Sequence, residues 1–373
     1  MSSPNWQWIG TKEYLVANAT RQLETIPPNP HVDLAGCTIL ITGASGGLGL
    51  ESARHIYDLK PKKLILAVRD EELGRQAKAE LEARWTVEER QRHDATIIQI
   101  ERLDQSSFFS VRRFAEEVRG EQLDVVMLNA GVVIWNWTLT GDGYEKALQV
   151  NYLSTALLAF LLLPVLRRSE AASRPKGGLS PSRLIFISSD AHYNALISYA
   201  KITGFNASSS GDESVKVSDA DPVRPILYYL TNPANYDKYT RYLDTKLLLL
   251  LFARQLAAET PSSSCIISSV HPGFISTRLF RDAGAMNWIA QFWPIKRLIS
   301  RTVEQGASGM VNAAIVQGEE SHGKYMSESK IRDESSFVRS EEGKKMQEQV
   351  WKETVEALQQ IMPPPVLSSN VAE

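Results

Sequence analysis

Tyr242 and Lys246 stand four residues apart in Arg241-Tyr242-Leu243-Asp244-Thr245-Lys246-Leu247, so a helix over this run carries both on one face. A free phenol has a pKa of about 10 and is a poor base near neutrality. An ammonium group close by favours the phenolate and lowers that value. Such a phenol gives a proton to a carbonyl oxygen, or takes one from an alcohol. Of the twelve tyrosines, Tyr242 alone has a lysine four positions on, so Tyr236 and Tyr239 read as packing or wall residues. In isolation the pair would pass for a solvated helix face. Its setting gives it weight: Ser188-Ser189 closes an apolar run before it, and Pro272-Gly273 follows another run after it. A serine hydroxyl at a strand end can donate to the same oxygen and stabilise its developing charge.

A second constellation is Thr42-Gly43-Ala44-Ser45-Gly46-Gly47-Leu48-Gly49, between the apolar run Cys37–Thr42 and a helically spaced run over 48–59. Glycines at a strand-to-helix junction let the backbone turn tightly and approach a pyrophosphate, and the helix start offers free N–H groups. Cofactor binding therefore outweighs a plain turn. At the end of the next strand an acidic residue would bind ribose hydroxyls, whereas arginine would meet a 2′-phosphate. Here Arg69 comes first, and Asp70 can cap the following helix. That favours NADP(H) over NAD(H). A solvated strand end is the plainer reading of Arg69.

These residues need a scaffold, and the spacing predicts one. Apolar runs at 37–42, 63–68, 96–100, 124–128, 183–188, 265–270 and 323–326 alternate with helical patterns at 48–59, 71–85, 106–118, 144–166, 239–258 and 302–316. The pattern predicts an α/β fold, a Rossmann-type doubly wound parallel sheet of about seven strands. Residues 1–35 form an N-terminal extension ending in Pro27-Pro28-Asn29-Pro30, and 36–330 a single NADP(H)-binding catalytic domain. An insertion at about 191–236 interrupts that domain, far longer than a usual connection of about 4–6 residues. Residues 331–373 read as a charged helical tail with a frayed end at Pro363-Pro364-Pro365.

In this order the motifs resemble the short-chain dehydrogenase/reductase family over about residues 36–330. Thr42, Gly43, Gly47 and Gly49 follow its Thr-Gly-x-x-x-Gly-x-Gly turn, with Ser45 and Leu48 between them. Asp104 matches the residue that touches the adenine amino group, and Asn129-Ala130-Gly131 the Asn-Ala-Gly motif that lines the cofactor groove. Asn151 matches the family's helix asparagine, Ser189 its catalytic serine, and Tyr242 with Lys246 its Tyr-x-x-x-Lys. The run Pro272-Gly273-Phe274-Ile275-Ser276-Thr277 matches the segment that holds the nicotinamide carboxamide and phosphates. The resemblance implies Tyr242 as proton donor or acceptor, Lys246 on the nicotinamide ribose, Ser189 on the substrate oxygen and Asn151 placing a water that serves Lys246. It implies a carbonyl/alcohol oxidoreductase. The departure is the insertion between Ser189 and Tyr242, although members resembling protochlorophyllide reductases and retinol dehydrogenases also carry extra segments there. Fungal reductases of secondary metabolism look nearest, through the Asn-Pro-rich lead into Arg-Tyr-x-x-x-Lys-Leu-Leu.

Aromatic residues mark the expected substrate walls: Trp135 and Trp137 beyond the Asn-Ala-Gly motif, and Trp288, Phe292 and Trp293 beyond Thr277. Such walls suit a hydrophobic small molecule, though they could merely cover a sheet edge. The six histidines show no metal-ligand spacing, so no metal is expected. A net charge of −2 argues against nucleic acid. The most apolar stretch, over 157–166, is too short to span a bilayer, which needs about 20 residues. Cys37 and Cys265 read as buried structural thiols. With no secretory signal visible, a cytoplasmic protein is expected. The resemblance also allows a homodimer through the helices at 144–166 and 239–258. Two other readings remain: an epimerase or dehydratase of the same superfamily, and an NADP(H)-binding scaffold or cyclase without net redox turnover. The intact Ser189, Tyr242 and Lys246 speak against the scaffold.

Overall fold

Strands apolar at consecutive positions demand cover on both faces of their sheet. The computed structural model describes residues 21, 24–86, 88, 96–171, 179–195, 197, 202, 225–275 and 300–362. Its strands are β1 (Thr38–Thr42), β2 (Lys63–Val68), β3 (Ile97–Arg102), β4 (Val125–Leu128), β5 (Arg183–Ile187), β6 (Ile266–His271), β7 (Tyr325–Ser327) and β8 (Lys330–Arg332). The described helices are α1 (Gly47–Asp58), α2 (Glu71–Glu82), α3 (Phe108–Glu117), α4 (Ser154–Ala171), α5 (Pro225–Thr231), α6 (Arg241–Ala258), α7 (Val303–Ile315), α8 (Ser336–Arg339) and α9 (Glu341–Leu358). The sheet order is β3-β2-β1-β4-β5-β6-β7-β8. Every predicted strand is present, and β1 to β7 are parallel.

Side chains alternate along each strand between two cores. Ile39, Ile41, Leu64 and Leu66 share one core with Ile56 of α1, Leu81 of α2 and Met310 of α7. Leu40, Ile65 and Ala67 share the other with Phe114 of α3, Leu157 of α4 and Phe252 of α6. β1 pairs with both β2 and β4, so the strand order reverses there and a crevice opens beyond their carboxyl ends. The glycine turn and the Asn129 motif both fall at that crevice.

Two local features depart from the sequence reading. β8 is an eighth strand, antiparallel to β7. Its hairpin turns on Glu328 and Ser329, with φ of 54° and 59°. Neither is glycine, so the usual turn signal is missing. The helix expected over 144–166 begins with a short α-turn (Lys146–Leu148) and a π-turn (Gln149–Leu153) before α4. A π-turn holds one more residue per turn than the apolar periodicity assumes. Among the described residues the continuous helix Lys146–Arg168 is long and apolar enough to cross a membrane, but it lies buried in this fold.

Both terminal segments pack on the sheet domain. Ser308 donates to the Pro27 carbonyl (2.7 Å), Asn29 to that of His55 (2.9 Å), and Lys330 pairs with Glu24 (2.7 Å). α9 presents charges outward, but Met346, Val350, Thr354, Ala357 and Leu358 are buried at helical spacing. Trp351 stacks on Phe252 and meets Phe160 edge-on, each 5.5 Å between ring centres. Glu353 accepts the N–H groups of Ile226 (3.1 Å) and Leu227 (2.9 Å), satisfying the start of α5. Replacing Trp351 by alanine should therefore lower stability by about 3 kcal/mol in urea unfolding; an unchanged midpoint would show that α9 is only loosely attached.

Candidate active site

Turn geometry shapes the crevice. Gly43 has φ +68° and lies against Ala130, where a Cβ would meet the Ala130 Cα at 3.1 Å. A Cβ on Gly49 would come within 2.3 Å of the Gly43 carbonyl oxygen, so only glycine lets α1 start this close to the turn. Gly47 opens α1 with φ +55°. The Thr42 hydroxyl accepts the N–H groups of Asn129 and Ala130, both at 2.9 Å, and the Asn129 amide donates to the Thr42 carbonyl (2.9 Å). These bonds lock the ends of β1 and β4 together. A Cβ on Gly306 of α7 would meet Ile275, Leu48 and the Pro272 carbonyl, so that glycine lets the Pro272–Ile275 segment approach the turn.

A dinucleotide fits this cradle: the turn has shed its Cβ atoms where a pyrophosphate would lie, and the first N–H groups of α1 face it. Half-buried Ser45 and Leu48 and exposed Gly47 line it. Arg69 is exposed at the end of β2, while Asp70 caps α2 by accepting the N–H groups of Glu72 (2.9 Å) and Leu73 (3.3 Å). Asp104, after β3, accepts from the Ser106 N–H (2.9 Å) and hydroxyl (2.7 Å). Pro272 and Gly273 follow β6, and Gly273 has φ +92°. Thr277, Trp288, Phe292 and Trp293 lie outside the described residues.

Despite the insertion, the fold brings Ser189 to Tyr242, close enough for the serine hydroxyl to act on the phenol. β5 delivers Ser189 in extended backbone, and the first turn of α6 delivers Tyr242. Lys246, one turn further, is buried and donates to the Ile187 carbonyl (2.7 Å), with its ammonium 5.7 Å from the centre of the Tyr242 ring. A Cβ on Gly131 would lie 3.3 Å from Asn151 Oδ1 and 3.9 Å from Lys246 Nζ, which puts all three at one spot. The Asn151 side chain accepts from the Val132 N–H (2.7 Å) and donates to the Val132 carbonyl (2.9 Å) and the Thr245 hydroxyl (3.1 Å). It braces the β4 loop against α6. Its amide is engaged by protein groups at both ends.

The electrostatics differ from the simple expectation of a lowered phenol pKa. Burial pushes Tyr242 up to about 12, against the opposing pull of the Ser189 hydroxyl. Burial also pushes Lys246 down to about 8. Loss of water acts on both groups and favours their neutral forms. The ammonium is spent on the Ile187 carbonyl rather than on the phenol oxygen.

Several residues that hold this site were not legible as site residues. Arg241, next to the phenol, is almost fully buried. It donates to the carbonyls of Leu230 and Asn235 and stands 3.7 Å from buried Glu145. Tyr236 donates to the Ile134 carbonyl (2.9 Å) and Trp137 to that of Thr231 (3.0 Å), tying the end of the insertion to the loop after Gly131. Trp135 meets Tyr239 edge-on at 5.6 Å, and the two line a cavity of about 500 Å³ with Asn136, Trp137, Tyr236, Asp237 and Lys238. A larger groove of about 810 Å³ lies elsewhere, by α1 and the N-terminal segment. Its charged walls pair among themselves, Arg54 with Glu51 and Glu80 and Arg84 with Asp58, and no group of the site above opens on it.

Known proteins bear on the whole chain. The sequence model for short chain dehydrogenases matches residues 37–208. A short chain dehydrogenase of Arthrobotrys oligospora is 34% identical over 351 residues, 92% of this chain and 99% of that one. A short-chain dehydrogenase/reductase of Aspergillus flavipes is 35% identical over 335 residues, 89% of this chain and 88% of its own. Among solved structures, the RhlG/NADP active-site complex of Pseudomonas aeruginosa shares the fold at a TM-score of 0.55 and 22% identity, over 80% of this chain and 96% of that one. The motifs, the sheet and these relatives agree: the chain belongs to the short-chain dehydrogenase/reductase family.

Proposed function

We propose that this oxidoreductase is an NADP(H)-dependent carbonyl reductase acting on a hydrophobic, aromatic-sized small molecule, with Tyr242 as its proton donor. The approach of the Ser189 hydroxyl to the Tyr242 phenol carries the reading, because it would offer one substrate oxygen both a proton donor and a neutral hydroxyl donor. NADPH, when bound, supplies the hydride. A phenol pushed up to about 12 is protonated near neutrality, so Tyr242 is ready to give its proton to a carbonyl oxygen. Ser189 donates to the same oxygen and stabilises the charge that develops there. Lys246 would hold the nicotinamide ribose, its ammonium being one turn of α6 from the phenol.

The exposed Arg69, with Asp70 engaged as a helix cap, supports preference for a 2′-phosphate. Trp135, Trp137, Tyr236 and Tyr239, gathered beside the loop after Gly131 and the start of α6, would give a substrate aromatic surface to pack on. Fungal relatives fit a reductase of secondary metabolism, and the buried thiols Cys37 and Cys265 fit a reducing cytoplasm. Because α9 lies on α4 and α6 through Trp351, a homodimer would have to use another surface.

Tyr242→Phe should reduce kcat at least about 100-fold in an NADPH-coupled assay of aromatic ketones, with cofactor affinity unchanged. Retained turnover would refute the assignment. The pH dependence has a definite sign. The ammonium of Lys246 is present below its pKa of about 8 and is lost above it, so reduction should be level near neutrality and decline beyond about 8. Oxidation, which needs the phenol to surrender its proton, should instead rise with pH. A reduction rate that climbs through that range would contradict the assignment of Lys246.

A further inference from the structure

Ser189 works only if its hydroxyl stays in register with the phenol, because misplacement of about 1 Å can cost about 100-fold in rate. Yet Ser189 stands between the end of β5 and a single 3₁₀ turn (Asp190–Asn194), with backbone angles of −160° and 150°. Its hydroxyl also accepts the Ala191 N–H (3.1 Å). Something else must hold its carbonyl end.

His192 does so. Its Nδ1 lies 2.7 Å from the Ser189 carbonyl oxygen. A carbonyl only accepts, so Nδ1 carries the proton. Nε2 then offers a lone pair, and the Ser335 N–H donates to it at 3.2 Å. Both ring nitrogens are committed, and the ring is neutral with one tautomer selected. The ring is 2% exposed, lies 4.3 Å from Tyr193 and meets Tyr325 edge-on at 4.9 Å, centre to centre. Burial pushes its pKa down to about 4, in keeping with a neutral ring.

The next peptide is pinned as well. The Asp190 N–H donates to His271 Nδ1 (3.2 Å). The Asp190 carboxylate accepts the Tyr325 hydroxyl and faces Arg21 of the N-terminal segment at 3.7 Å. Ser335 belongs to the C-terminal segment, where its own side chain caps α8. Both chain ends therefore reach the back of the serine.

We infer that His192 is a positioning residue for the reaction, holding the Ser189 carbonyl so that the Ser189 hydroxyl meets Tyr242, and anchoring it to the C-terminal segment through Ser335. The inference rests on the catalytic reading of Ser189, and Ser189→Ala separates the two. If Ser189→Ala keeps full turnover, the proposed active site fails. If it loses turnover while His192 variants do not, the positioning role alone fails.

His192→Phe keeps a ring of similar size and removes both hydrogen bonds. It should lower kcat at least about tenfold with KM and NADPH affinity within about twofold. His192→Asn retains a donor near the Nδ1 position and should recover most of the loss. In the Ser189→Ala background His192→Phe should cost less than about twofold, since there is no hydroxyl left to position. A full additional loss in that background would mean a general structural role and overturn the inference. Independently of any variant, nitrogen-15 spectra of histidine-labelled wild-type protein should show His192 protonated at Nδ1. Protonation at Nε2 would equally overturn it.

Discussion

The contact between the Ser189 hydroxyl and the Tyr242 phenol joins two elements that the insertion separates along the chain, and the rest of the molecule serves to keep it. β5 ends at the carboxyl edge of the sheet, next to β4 on one side and β6 on the other. α6 starts over that same edge because Arg241 holds the end of the insertion and Asn151 holds Thr245. The glycine turn after β1 opens at the crevice where the strand order reverses, which puts the dinucleotide cradle and the Tyr242 phenol on one rim. A parallel sheet achieves this without any local sequence contact between the parts.

Burial is the main electrostatic fact of the site. It raises the phenol, lowers the ammonium and keeps His192 neutral, all in the direction expected when water is withdrawn. Near neutrality the phenol and His192 are therefore neutral, while the Lys246 ammonium, at about 8, still carries its charge. On the proposed function, a protonated phenol suits the reductive direction, in which it meets a carbonyl. The positive nicotinamide ring expected in the reverse reaction would pull the phenol the other way.

Much of this was legible in the residues, for physical reasons. Strands covered on both faces are mostly apolar, so they stood out as short runs, and even β3 at the sheet edge keeps Ile97, Ile98 and Ile100. The motif residues were legible because a turn without Cβ atoms and a Tyr-x-x-x-Lys helix face admit few substitutes. What escaped was set by packing. The Glu328–Ser329 turn carries no glycine, so β8 left no mark. The π-turn at Gln149–Leu153 has no periodic signature. Arg241, Glu145 and His192 look like ordinary polar residues until the fold buries them. Spacing reveals the lysine beside the phenol, but neither the loss of water at both groups nor the Ile187 carbonyl that accepts the ammonium's hydrogen bond.

Direct observation of hydride transfer tests the central claim most sharply. The protein would be given NADPH carrying deuterium at the transferable C4 position, with a series of aromatic ketones and aldehydes, and the products examined by mass spectrometry and NMR. The account predicts one deuterium on the carbinol carbon of the new alcohol for each cofactor oxidised. Tight NADPH binding with no deuterium passed to any carbonyl carbon would contradict it.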